Sequence, residues 1–263
     1  MPRILRTVTG FATAGGAGTN PATLSPGTSG TFAVDAFSSG NAYLESVWAR
    51  GATTDWVRYR SPRMHDNNQG LRLFLGTLLP SNLLAWGSDI QLFSSDVPTV
   101  EIDATAASSA VIALTYGYDD LGSTGANLAN WSEVQSRIKY VSGVEVDTTA
   151  GAIGNYGAAV AINSSFDNFK ADYSYALLGY TVSAATACIA INGADTGNFD
   201  IGMPGDPDPR ETRDYFIKMS QQSGRPCIPI IQANNRAGTT IKSVDSTGAT
   251  AVKMSLIFAL LGG

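Results

Sequence analysis

Short apolar runs recur along the chain, alternating with polar residues and separated by glycine, proline, serine and threonine. Trp56-Val57-Arg58-Tyr59-Arg60 alternates bulky apolar with charged side chains, the period-two pattern of a half-buried strand. Runs of this kind predict strands over 31–37, 42–48, 55–60, 83–93, 100–104 and 110–118. They resume over 138–146, 158–162, 173–182, 187–191, 227–232, 241–244 and 252–260. Many short strands with glycine-rich turns indicate sandwiches or barrels. Two segments instead carry a helical period. Asp208-Pro209-Arg210-Glu211 offers an N-cap, a proline at the first helical position and a glutamate at the third. The pattern predicts a helix running to Gln222 and stopping at Gly224, with Thr212, Phe216 and Met219 on one face. Leu71, Phe74, Leu75 and Leu78, closed by Pro80, predict a matching helix earlier in the chain.

The pattern also repeats at an offset of about 142 residues. Val47–Thr54 lies over Ile189–Thr196 without a gap, bringing Gly51-Ala52 onto Gly193-Ala194. At the same offset Pro62 meets Pro204 and Phe74 meets Phe216. After a slip near Pro80 and Pro226 the offset returns, for Asp103 with Asp245, Thr105 with Thr247, Leu114 with Leu256, and Tyr116 with Phe258. One fold used twice is the expectation, and 263 residues suffice for two such units.

Composition narrows the class. Hydrophobic residues make up 44% but charged residues only 15%, against about 25% in an ordinary soluble domain. A surface this poor in charge fits one largely covered by other subunits. The net charge of −5 argues against a chain that condenses nucleic acid, which needs clustered cations. Arg3 with Arg6, and Arg58, Arg60 and Arg63, are the only basic groupings. The start has no signal-peptide apolar run and no segment reaches the ~18 apolar residues of a membrane span, so synthesis in a cytoplasm without signal-peptide export is expected. Residues 12–30 are rich in Gly, Pro, Ser and Thr and poor in bulky apolar groups, which predicts a loop or arm ordering only against a neighbour. Cys188 and Cys227 sit in apolar runs and read as small buried hydrophobes.

Candidate chemistry is sparse. A metal-binding cupin barrel needs several histidines, and His65 is the single one, beside Asp66. No nucleophile elbow, phosphate loop or dinucleotide fingerprint is present. Asp119-Asp120, Asp195, Asp200, Asp206 and Asp208 lie in turn-like sequence, where aspartate bonds local backbone. Asp206-Pro207-Asp208 does not match the spacing of a calcium loop. Trp48, Trp56, Trp86 and Trp131 could form a sugar platform, but they sit in or beside strand patterns, where packing explains them. No catalytic, cofactor or metal residue is therefore assigned.

Strands, a helix and three more strands, used twice, resemble the double jelly-roll coat proteins of tailless icosahedral viruses. The resemblance rests on architecture, on the repeated Gly51-Ala52 and Gly193-Ala194, on the helix positions and on composition. It implies an all-β fold of two tandem jelly-roll β-sandwiches related by internal duplication, each with one short helix. The expected divisions are a flexible N-terminal arm and first strand over 1–30, a first unit over 31–120 and a second over 121–263. It further implies a non-enzymatic major capsid protein in the virion, without cofactor. Its partners would be copies of itself, as a homotrimer and then a capsid lattice, together with minor capsid proteins, and it would bind no nucleic acid sequence-specifically. A carbohydrate-binding spike or adhesin module stays open as the alternative, and a β-sandwich glycoside hydrolase as a third reading.

Overall fold

The computed structural model describes residues 3–14, 18–21, 23–25, 34, 42–50, 54–60, 70–74, 84–85, 91–97, 99–104, 108–119, 125–151, 155–162, 173–183, 186–205, 209–245 and 250–262. The first unit contains β1 (Arg3–Ala14), β2 (Gly18–Pro21), β3 (Thr23–Ser25), β4 (Ala42–Arg50) and β5 (Thr54–Arg60). It continues through β6 (Leu71–Phe74), β7 (Leu84–Ala85), β8 (Gln91–Leu92), β9 (Thr99–Ala104) and β10 (Ser108–Asp119). The second unit opens with β11 (Leu128–Ala129) and α1 (Trp131–Gln135), then β12 (Ile138–Thr149), β13 (Val160–Ala161), β14 (Ser174–Val182), β15 (Thr186–Asn192) and β16 (Ile201–Pro204). After them come α2 (Pro209–Thr212), α3 (Tyr215–Ser223), β17 (Ile228–Gln232), β18 (Thr240–Asp245) and β19 (Ala251–Leu261).

The same strand order is built twice. In the first unit β1-β10-β4-β7 forms one sheet and β2-β9-β5-β6 the other. In the second, β12-β19-β14-β17 and β13-β18-β15-β16 repeat that order. Taking eight strands in chain order, the first, eighth, third and sixth face the second, seventh, fourth and fifth. This is the order of a jelly roll. The chain is all-β with a few short helices, in two tandem jelly rolls.

Irregularities recur with the order. A bulge interrupts the pairing of β5 with β9 between Thr54 and Trp56, and that of β15 with β18 between Thr186 and Cys188. Another lies in the third strand of each unit, at Glu45 in β4 and Leu178 in β14. Because Tyr116 pairs with Leu44 and Phe258 with Leu177, Tyr116 and Phe258 hold equivalent places, as do Leu114 and Leu256.

The offset is not constant, however. Trp56 corresponds to Cys188, 132 positions on, so the gapless match of Val47–Thr54 to Ile189–Thr196 sets β4 and the residues after it over β15 and the short helical turn beyond it. Gly51, outside the described residues, comes after β4, whereas Gly193 comes after β15. Asp103 aligns with Val244, one residue short of Asp245. Pro62, Thr105 and Thr247 lie outside the described residues. The register changes in the connection between the fifth and sixth strands, which runs from Phe74 to Leu84 in the first unit and from Pro204 to Ile228 in the second. The longer one holds the helices.

Two further expectations change. Leu71–Phe74 is strand β6, because Trp56 through Tyr59 supply it with a ladder; Leu75 and Leu78 lie outside the described residues. Phe74 is thus not the counterpart of Phe216, which sits on α3. The predicted second-unit helix exists but breaks at Arg213-Asp214 into α2 and α3, ending on Gly224 at φ 66°, where left-handed backbone suits glycine. Thr212, Phe216 and Met219 are buried as expected. Within 1–30 lies the first strand, β1, from Arg3. Ala12–Ala14 continue β1, Gly18–Pro21 pair with β9 and Thr23–Ser25 pair with β1. Backbone pairing within the chain supplies what the segment lacks in apolar side chains.

Candidate functional site: the seam between the jelly rolls

The two units share an interface built by one sheet. Along β10, residues 111–118 are all buried. Ile112, Leu114 and Tyr116 alternate with Val111, Ala113, Thr115 and Gly117, and the second set turns to the second unit. Val111 and Ala113 pack with Ala187, Cys188 and Val244. Leu5 of β1 joins the core of the second unit. Both β1 and β10 touch β16, and α3 touches β4 and β7. A sheet covered on both faces needs small or apolar residues on both, which is why β10 reads as a nearly continuous apolar and small run.

Hydrogen bonds fix the register across the seam. Asp200 O accepts from Thr7 N at 2.7 Å, and Thr7 Oγ1 accepts from Gly202 N at 2.7 Å. Thr7 Oγ1 also meets Thr115 Oγ1 at 2.7 Å. A Cβ on Gly202 would stand 2.4 Å from Thr7 Cγ2, so the close approach requires glycine there. Tyr215 of α3 reaches the first unit, its hydroxyl 2.9 Å from Ser46 Oγ, with its ring edge-on to Tyr180 at 5.8 Å. Burial pushes the Tyr215 hydroxyl well up from the ordinary tyrosine value.

At one end of the seam lies a buried charge cluster. Glu45, the bulged residue of β4, is 0% exposed. The Arg3 guanidinium donates to its Oε1, and Arg225 donates Nε to Oε1 at 2.8 Å and Nη2 to Oε2 at 3.0 Å. Arg225 also stacks 4.3 Å from the Tyr43 ring centroid, and Arg3 Nη1 lies 3.8 Å from Asp119 Oδ1. The bulge turns Glu45 into the seam, where one carboxylate holds guanidinia from both units. Sequence reading missed Glu45 and Arg225, since nothing local marks a bulge.

The residues singled out in the sequence occupy separate places. Asp195 is buried and braces loops, accepting from Gln232 N at 2.9 Å and Asn235 Nδ2 at 3.0 Å. Asp200 accepts from Lys242 Nζ at 2.7 Å and Asn192 Nδ2 at 2.9 Å. The two serve separate networks, and among the described residues no three His, Cys, Asp or Glu side chains gather as metal ligands do. His65, Asp66, Asp120, Asp206, Asp208, Arg63 and Trp86 lie outside the described residues. Trp56 is buried with Arg58 over its ring at 5.4 Å, Trp131 packs half-buried on the second core, and Trp48 lies in β4. Cys188 and Cys227 are both fully buried and free, and burial pushes each thiol up to about 12. No helix among the described residues is long and apolar enough to cross a membrane.

No protein-family profile and no curated protein matches the chain. Among solved structures it is similar to the major capsid protein P2 from bacteriophage PM2, at 9% identity and TM-score 0.27, covering 99% of this chain and 98% of that one. It is also similar to a structure described as the triple jelly roll fold and turret assembly in an archaeal virus, at 8% identity and TM-score 0.25, covering 100% and 80%. A third is the PBSX exported protein XepA, at 11% identity and TM-score 0.20, covering 86% and 84%. At these scores the fold assignment rests on the strand order itself.

Proposed function

We propose that this chain is a virion structural protein, the major capsid protein of a tailless icosahedral virus. The observation that supports it most is the pair of jelly rolls of identical strand order joined by a buried seam. Such a block presents two similar units side by side, and three copies present six similar edges for tiling. The shared bulges support descent of the two units from one duplicated jelly roll. The low charge content suits a surface mostly covered by neighbours. On this reading the partners are copies of the same chain, first as a trimer and then as a lattice, with minor capsid proteins at its discontinuities. No cofactor or reaction is assigned. Sedimentation velocity of the purified chain tests the first step. A trimer whose contacts persist at moderate salt is expected, and a monomer at every concentration, salt and pH would overturn the proposal.

A further inference from the structure

The longest strand of the second unit ends its sheet. β12 pairs with β19 on one side, and among the described residues no strand lies on the other. A long exposed edge is a template for another chain unless it is blunted. This one is also apolar near its start. Val141 is 54% exposed and Tyr140 39%, with Tyr173 beside β14 at 38%. These are three of the four large hydrophobic residues that are exposed among the described residues.

We infer that this edge pairs antiparallel with β12 of a second copy of this chain, about a two-fold axis through Ser142. The charge order of the strand carries the inference. An isologous contact requires each residue to meet its own mirror position, so the strand must be complementary to its reverse. Centred on Ser142, Lys139 lies opposite Glu145 of the other copy, Tyr140 opposite Val144, and Val141 opposite Gly143. Lys139 and Glu145 are both exposed, so each copy contributes one half of two opposite-charge pairs. Glycine at 143 leaves room for the Val141 side chain. Moving the centre two residues toward the C-terminus sets Val141 against Asp147, and moving it one residue sets Val141 against Glu145. Either register places an apolar side chain opposite a carboxylate. A bulge at Lys139 bends the strand there and confines the pairing to Lys139–Glu145. Each copy contributes this same edge, so the contact closes at two chains. The inference stands on this edge and does not require the coat-protein reading.

Charge exchange in the full-length chain tests it. Lys139→Glu and Glu145→Lys should each weaken dimer formation by about tenfold, because like charges then face each other twice across the axis. The double variant K139E/E145K should restore it to within about threefold of the original. Directly opposed residues lie about 4.5–5.5 Å apart at Cα, within disulfide reach. Ser142→Cys should therefore give a cross-linked dimer under mild oxidation, while Thr149→Cys at the strand end should not. The buried Cys188 and Cys227 do not compete. Cross-linking at Ser142→Cys no greater than at Thr149→Cys, or failure of the double variant to recover, would overturn the inference. Trimers lacking the β12 contact would overturn it and leave the coat reading intact. Dimers through β12 with nothing larger would support it and contradict that reading.

Discussion

The eighth strands of the two jelly rolls, β10 and β19, occupy the same place in the same fold and differ in what lies behind them. In β19 the outward positions are partly open: Lys253 is exposed, and Ser255 and Ile257 are half-buried. In β10 the equivalent positions are Val111, Ala113 and Thr115, all buried. Strand order therefore sets which residues face the core of a unit, and the neighbouring unit sets the rest. The same holds for the third strands, where a bulge carries Glu45 into the seam of the first unit and Leu178 into the second core.

Exchanging residues between equivalent places should give very unequal costs. Val111→Lys puts an unpaired cation into the seam, and we expect a loss of more than about 4 kcal/mol, enough to unfold the first unit. Lys253→Val should change stability by less than about 0.5 kcal/mol. Urea denaturation of both variants measures the contrast, and equal costs would mean that β10 is not covered by the second unit.

Removing Glu45 comes next. Glu45→Ala leaves Arg3 and Arg225 facing each other without their carboxylate, for an expected cost of about 3–5 kcal/mol. Glu45→Leu, which copies the equivalent Leu178, still strands both guanidinia and should not rescue. Recovery by Glu45→Leu in thermal melts would show that the ion cluster is dispensable.

Thr7→Val keeps the shape but leaves the Gly202 N–H buried without its acceptor, at an expected cost of about 1–3 kcal/mol. Tyr215→Phe keeps the ring and loses the hydroxyl, which bonds Ser46 and also meets Thr115, for about 1 kcal/mol. A double-mutant cycle with Ser46→Ala should attribute most of that loss to the pair.

The two cysteines extend the contrast to pH, since Cys188 lies on the seam and Cys227 in the second core. Both thiols are held neutral by burial, with folded values of about 12 against 9 unfolded. The unfolded chain thus binds fewer protons than the folded one above pH 9, and stability should fall as pH rises from there toward 12. Denaturation curves taken below, at and above the unfolded thiol value measure that decline, and replacing both cysteines by alanine should reduce it, leaving the part due to the buried Tyr156 and Tyr215 hydroxyls, whose values burial also raises.

Much of this architecture was legible along the chain, because alternation marks strands wherever one face is open. β12 and β19 lie close to the predicted 138–146 and 252–260, and the free buried cysteines accord with their apolar runs. Leu114 with Leu256 and Tyr116 with Phe258, matched along the chain, do hold equivalent places in the repeated strand order. The constant offset failed because a longer connection, holding α2 and α3, moves the register of everything after it. Leu71–Phe74 looked helical because four apolar positions fit either period, and strand pairing with β5 decided it. Ala12–Ala14, Gly18–Pro21 and Thr23–Ser25 are held by backbone pairing, which side-chain pattern does not report. The seam was the least visible part. Glu45 meets Arg225 across 180 positions, through a bulge that no local pattern announces.

Electron microscopy of the purified full-length chain tests the coat-protein reading most directly. Particles of hexagonal outline are expected, three chains each with two jelly rolls, tiling into sheets or closed shells as concentration rises. A field of single two-lobed molecules at every concentration, with the seam intact and no ordered contact between copies, would contradict it.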